Sequence, residues 1–387
     1  MSDPKTVAEL EVLRDGVPVA GLTRTANGCE FRYQEGYISS GGQPVARHLP
    51  LGGVTVSGAT NLPSFFAGLL PEGIMQRAIT RFHRLSEDDL FSQLVVAGEN
   101  AVGDVTVRQL NAPAALVTRS VEEAVDSLRS LQDRLTLPMS VSLSGTQPKL
   151  SIGDAVASHR GEIAIVKIEP RDFPGILENE AFFMGLAKRA GLRVPRVSLR
   201  GDALVIERFD RIKRKRERPM QLHVEDALQI LDRYPLAKYS LDYTEILQAA
   251  QELKAAKSVT LDLLRLYVFS YAIGNGDLHA KNVSFFFLKD EGRWVMTPAY
   301  DLVCTLPYFA DSPFGRNMAL GLDEQVGDYA LADFVAVGSR FGVPERAVQR
   351  MAQEVSDGVL GGISTIYESF PPSLIGEIEV RARAVAS

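Results

Sequence analysis

Two hydrophobic periodicities divide the chain. Up to about residue 60, short alternating or apolar runs at residues 17–22, 29–33 and 53–56 are punctuated by Gly, Pro and Asn, and predict strands. A helical stretch then starts at Asn61 and reaches about His83, a second helix covers residues 87–97, and residues 103–107 return to strand. Residues 109–120 read as a linker, and a subdomain boundary is expected between there and about residue 137. From residue 140 the pattern changes. Residues 140–152 predict strand, tight turn, strand, and residues 164–168 a buried strand that carries Lys167. Glu178-Asn179-Glu180 opens a helix with Phe183, Ala187 and Ala190 on one stripe, and Gly191 is a natural stop. Residues 194–199 and 203–210 are further strands.

Beyond residue 220 helices dominate. Leu264, Tyr267, Val268 and Tyr271 recur at i, i+3, i+4 and i+7, a core-facing stripe that delivers the chain to a polar loop. Residues 283–288 and 294–296, joined by a Lys-Asp-Glu-Gly turn, predict a hairpin, and helices follow over residues 330–341, 344–355 and 373–386. The expected fold class is α+β: a bilobal protein-kinase-like fold with an extra β-rich N-terminal subdomain (residues 1–136), a kinase N-lobe (137–209) and an all-helical C-lobe (210–387) carrying the catalytic loop.

Bulk properties narrow the function classes. At 387 residues the chain exceeds what one core comfortably holds, and 45% hydrophobic with 23% charged residues fits a globular protein. The net charge of −6 gives no general case for nucleic-acid binding. The basic run from Arg211 to Arg218 is an exception, read as a solvated loop or hairpin tip against a docking patch for an acidic partner or RNA. Two cysteines, Cys29 and Cys304, make no disulfide framework, and the five histidines show no metal-ligand pairing. No apolar run approaches the roughly 18 residues of a membrane span, and the start lacks the features of a secretory signal. A cytoplasmic protein without membrane contact is expected.

The chemistry concentrates in Asn275-Gly-Asp277-Leu-His279-Ala-Lys281-Asn282, followed nineteen residues after Asn282 by Asp301. An Asp five residues before an Asn, then a hairpin, then a second Asp, is the layout of a phosphotransferase catalytic loop and its metal-binding carboxylate. Asp277 is the candidate base for the acceptor hydroxyl. Asn282 and Asp301 are candidate Mg²⁺ ligands, since Mg²⁺ prefers hard oxygen donors. Lys281 can neutralise charge on the transferring group. His279 is read as a scaffolding residue or a nucleotide contact. Lys167 in a buried strand is costly unless paired, and the pairing expected is with ATP phosphates and with Glu178 or Glu180. Backbone amides from Ser144 through Gly145 and Thr146 to Gln147, with the Lys149 ammonium, can hold phosphates. Glu207-Arg208-Phe209 falls where a hinge meets the adenine edge, and Tyr300 joins the nucleotide-binding set beside Asp301.

These residues resemble one family over essentially the full length: the HipA-type Ser/Thr kinases, toxins of bacterial toxin–antitoxin modules. The resemblance rests on Asn61…Phe65-Phe66…Pro71-Glu72-Gly73, Ser142-x-x-Gly145-x-Gln147-x-Lys149, Glu178-Asn179-Glu180, Glu207-Arg208-Phe209-Asp210-Arg211, His223-x-Glu225-Asp226, the Asp277 loop and Pro298-x-Tyr300-Asp301. It implies an Mg-ATP-dependent protein serine kinase whose target is a translation component such as the glutamyl aminoacyl-tRNA synthetase, with growth arrest and persistence as the outcome. It implies self-silencing by autophosphorylation of a phosphate-loop serine, Ser142, with Ser144 the competing position. It also implies a helix-turn-helix antitoxin that supplies most of the contact to operator DNA. Two other readings compete: a small-molecule kinase of the aminoglycoside or choline type, and a non-catalytic corepressor.

Overall fold

The first 58 residues build a meander whose turns are written into the sequence. In the computed structural model, which describes residues 3–58, 62–110, 120–134, 147–152, 163–212, 219–309 and 316–387, strands β1 (Glu9–Arg14) and β2 (Val17–Thr25) are joined by Asp15-Gly16. Both turn residues have positive φ, 51° and 78°, the two-residue hairpin turn that suits the right-handed twist of strands. The register slips between Val12 and Leu13, and Pro18 sits at that irregularity, where a missing N–H costs no ladder bond. With β3 (Gly28–Tyr33), β4 (Val54–Gly58) and β5 (Val105–Gln109) the sheet order is β4-β3-β2-β1-β5.

The described backbone forms two compact units, Met1–Ile168 with Arg208–Pro235, and Glu169–Glu207 with Leu236–Ser387. In the first, one face of the sheet closes on Phe65, Phe66, Leu94 and Val45, with the Phe31 and Phe66 rings 5.4 Å apart. The expected helix from Asn61 is two helices, Ser64–Gly68 and Gly73–His83, because Pro71 cannot continue the first. The stretch expected to be a boundary region holds a helix, Val121–Arg134, seated through Val121, Ala124 and Leu128. Strands β6 (Lys149–Ile152) and β7 (Ala164–Ile168) pair antiparallel. Arg211–Ile212 pairs with Met220–Gln221, so the flanks of the basic run are a hairpin, while residues 213–218 lie outside the described residues.

In the second unit, Lys257–Ala272 is the central helix. The expected stripe is wider in fact: from Leu263 to Ala272 every residue but Arg265 is buried. It packs against Tyr243–Glu252, Leu331–Arg340, Glu345–Ile363 and Pro372–Ala384. The Glu345–Ile363 helix outruns its expected end because Gly358, Gly361 and Gly362 read as breakers. A Cβ on Gly358 would lie 2.6 Å from Ala190 Cα and one on Gly362 would strike Leu186, so these two let the helix approach Ile176–Arg189 closely. The hairpin expected over residues 283–296 is present, Ser284–Leu288 with Arg293–Met296, between the two candidate metal-binding segments, so the all-helical label for the C-terminal region does not hold. Each unit buries one cysteine, Cys29 in the first and Cys304 in the second, and burial pushes both thiols up to about 12.

Candidate active site

The central helix ends at Ala272, and Gly274 turns the chain with φ 68° in a place where a Cβ would meet the Leu306 side chain at 2.6 Å. Glycine is therefore required there on both counts. Asn275, fully buried, accepts a bond from the Asp277 N–H at 3.1 Å. The Asp277 carbonyl accepts two bonds, from the His279 N–H at 2.8 Å and from Asn282 Nδ2 at 3.1 Å. Asn282 N–H donates to the His279 carbonyl at 2.9 Å. A loop of charged and amide side chains is thereby fixed through its main chain, with few torsions left to order later.

Thr305 ties the loop to the segment after Asp301. Its N–H and Oγ1 both donate to the Gly274 carbonyl at 2.9 Å, and Oγ1 accepts from the Gly276 N–H at 2.8 Å. Tyr300 OH donates to the Lys281 carbonyl at 2.8 Å and meets Ser284 Oγ at 2.6 Å. The residue that follows, Asp301, stands at φ 53°, left-handed backbone for a residue with a Cβ. Such a conformation persists where its surroundings over-determine it, and it clusters at functional sites. Asn179, fully buried on Ile176–Arg189, supplies part of that constraint: its Oδ1 accepts from Cys304 N–H at 2.9 Å and its Nδ2 donates to the Cys304 carbonyl at 3.0 Å. The second unit thus joins Asp277, Lys281, Asn282, Tyr300 and Asp301 through one hydrogen-bonded frame.

His279 is buried and its ring stands edge-on to Tyr239, centroids 5.3 Å apart. Of the two acids at the start of Ile176–Arg189, Glu178 is exposed and Glu180 fully buried.

In the first unit the β6–β7 register sets Lys149 directly opposite Lys167, the former exposed and the latter 2% exposed. Like charges facing each other across a strand pair destabilise a sheet, and an anion between them reverses that sign. Gln147 is half-buried beside this hairpin, while Ser142, Ser144, Gly145 and Thr146 lie outside the described residues. Of the expected hinge, Glu207 N–H donates to Arg196 O at 2.9 Å and its carboxylate pairs with the Arg196 guanidinium at the surface. Arg208 donates its N–H to Ile163 O and buries its guanidinium against Asp210 at 2.6 Å.

Arg208 belongs to a buried ionic knot. Asp210 accepts from Arg208, from Arg211 at 2.6 Å and from the Gly103 N–H at 2.8 Å. Nearby, Asp104 binds Arg14 at 2.9 Å and His223 Nδ1 at 2.8 Å, while His223 Nε2 meets Glu225 at 3.1 Å. Burial alone would raise the Asp210 carboxyl, but Arg208 and Arg211 hold it down at about 2. Burial also opposes charge on His223; the bonds to Asp104 and Glu225 outweigh it and lift the imidazole to about 9.

Sequence reasoning missed Thr305 and Tyr239. Both act through contacts made across long sequence separations, and no local spacing signals them. Asn179 stood inside the Glu-Asn-Glu segment, but nothing in that segment marked its amide as a clamp.

A family model described as "HipA-like C-terminal domain" matches residues 141–362, and one described as "HipA N-terminal domain" matches residues 10–108. The serine/threonine-protein kinase toxin HipA of Shewanella oneidensis is 24% identical over an alignment of 412 residues, covering 96% of this chain and 92% of that protein. Y4dM of Sinorhizobium fredii, a kinase by name only, is 29% identical over 337 residues and is covered, as is this chain, to 78%. The solved complex of Shewanella oneidensis HipA with HipB and operator DNA matches with a TM-score of 0.77 at 21% identity, over 97% of this chain and 96% of that one. That likeness is one of fold.

Proposed function

The chain belongs to the HipA family of kinases, and from that premise we propose that it transfers the γ-phosphoryl group of ATP to a serine hydroxyl of a protein. The observation that carries this reading is the Asp277 loop, preformed by the bonds from His279 N–H and Asn282 Nδ2 onto the Asp277 carbonyl. Because Asn282 Nδ2 is engaged there, Oδ1 is the atom left to meet a cation. With the Asp301 carboxylate it makes two hard oxygen donors. Among the described residues no group of three or more His, Cys, Asp or Glu is placed to hold a metal ion. Two protein oxygens suit Mg²⁺, which keeps several waters and takes the rest of its shell from phosphates.

When bound, Mg-ATP supplies the phosphoryl group and neutralises part of its charge. Asn282 and Asp301 would hold the metal, and Lys149 and Lys167, opposite each other in the strand register, would engage phosphate oxygens. Asp277 orients the serine hydroxyl and accepts its proton. Lys281 steadies the negative charge beside it. Assigned by role, residues 1–136 are the family-specific subdomain, 137–209 the phosphate-binding lobe and 210–387 the lobe of the catalytic loop, in a bilobal kinase arrangement.

The finer reading follows the family. The target is a translation component of the aminoacyl-tRNA synthetase class, a HipB-like antitoxin binds the chain and carries it to operator DNA, and Ser142 is the self-silencing site. A phosphoserine adds about −1.5 to −2 charge, and placed beside a site for ATP phosphates it would drive its loop away. The test is intact mass and phosphosite mapping after incubation with Mg-ATP, for wild type, Asp277→Ala and Ser142→Ala. Phosphate on Ser142 that vanishes in Asp277→Ala is the expected result. Nucleotide binding without transfer in any of the three, starting from unphosphorylated protein, would overturn the reading.

A further inference from the structure

We infer that Tyr239 is a positioning residue for the Asp277 carboxylate; the inference rests on the reading of Asp277 as the base that meets the acceptor hydroxyl. Tyr239 OH donates to Asp277 Oδ1 at 2.7 Å. The same ring stands edge-on to His279 at 5.3 Å and an interplanar angle of 82°, and Lys238 Nζ lies 5.4 Å from its centroid. One side chain therefore touches two alternate residues of the catalytic loop, one through its hydroxyl and the other through its ring.

The main-chain bonds of the loop and the Tyr239 bond act on different parts of Asp277. Asn275, His279 and Asn282 fix the main chain of Asp277 at its N–H and its carbonyl. They do not fix the carboxyl torsion, which is broad and roughly two-fold in aspartate. A base that must meet a hydroxyl in line gains from having that torsion set before the substrate arrives. An O–H···O⁻ bond is about twice as strong as a neutral one. The Tyr239 hydroxyl acts on the carboxylate itself, through Oδ1. Tyr239 is 38% exposed on a short 3-10 turn, and Leu236 on the same turn is 95% exposed, so the bond is made at the solvent edge, where a protein substrate can approach.

The test uses the unphosphorylated full-length chain with Mg-ATP, its own autophosphorylation serving as the reaction, followed as single-turnover rate against ATP concentration. Tyr239→Phe keeps the ring against His279 and removes the hydroxyl alone. The expected result is a five- to fifty-fold fall in the maximal rate, with the half-saturating ATP concentration and the melting temperature unchanged, and partial recovery in Tyr239→His, which restores a donor. A variant as fast as wild type overturns the inference. So does a faster one, which would make Tyr239 a plug standing where the acceptor hydroxyl belongs. Asp277→Asn separates the two levels: if it retains full rate, the reading of Asp277 as base fails; if it is inactive while Tyr239→Phe is normal, the positioning role alone fails.

Discussion

Asp104, Asp210, His223 and Glu225 in the first unit and Asp277, His279 and Asp301 in the second are drawn from the same residue types and are held in opposite ways. The first group is almost wholly buried, and Asp104 and Asp210 are paired with Arg14, Arg208, Arg211 and His223. The second keeps its carboxylates half-exposed, and the bonds that shape it run largely through neutral groups: main-chain amides, Asn282, Thr305 and Tyr300. A charge fully matched by its neighbours has little left to offer a ligand. Asp277 and Asp301 instead keep their carboxylates partly exposed, within reach of one. Both groups carry motif residues, so residue type alone does not tell them apart; the burial of their carboxylates does.

The contrast can be broken by substitution. Asp277→Ala should lower phosphotransfer by about 10²–10⁴-fold, the usual worth of a positioned acid or base, while the urea midpoint stays put; a matching loss of stability would place Asp277 with the scaffold. Asp210→Ala should do the reverse. It strands two buried guanidiniums, which costs roughly 3–5 kcal/mol, and denaturant unfolding should register that loss in the first unit whether or not ATP is present.

A pH series sharpens the same point. His223 is lifted in the fold, so its contribution is complete below the ordinary imidazole value near 6.5 and disappears as pH rises through about 9. Asp210 is depressed, so its contribution is complete above 3.8 and disappears as pH falls toward about 2. The expected loss on the alkaline side is on the order of 3 kcal/mol, read as a falling urea midpoint between pH 7 and 10, and His223→Gln should flatten that limb.

Smaller effects follow outside both clusters. Lys149→Ala removes one of the two opposed ammonium groups, and it should weaken ATP binding, measured by calorimetry. Arg196→Ala breaks a surface pair with Glu207 whose arginine is almost fully solvated, and it should leave the urea midpoint nearly unchanged.

Much of this was legible in the residues themselves. The candidate catalytic segment lies in one contiguous stretch, and the second candidate acid falls after a hairpin that the Val-Ser-Phe-Phe-Phe-Leu run and its polar turn announce. The Lys167 strand was read to the residue because an apolar run bounded by polar segments admits few alternatives. Val121–Arg134 escaped because its buried stripe is three small or medium residues amid charges, beside a Pro/Ala-rich stretch. The far half of Glu345–Ile363 escaped because glycine serves there for close helix contact, which a propensity reading takes as a stop. Thr305 and Tyr239 were beyond reach: each bonds the catalytic loop from 29 or 38 residues away, and only the folded chain sets those meetings.

The two cysteines have a practical consequence. Each compact unit holds a single thiol, shielded and kept protonated at neutral pH. In the native chain both should be silent toward alkylating reagents, and each becomes reactive when its own unit opens. Timed labelling followed by mass mapping would then clock the opening of the two halves independently in one tube. Cys304 sits three residues past Asp301 with its backbone gripped by Asn179, so its clock would slow when nucleotide steadies that segment, giving a label-based reading of ligand engagement that requires no turnover at all.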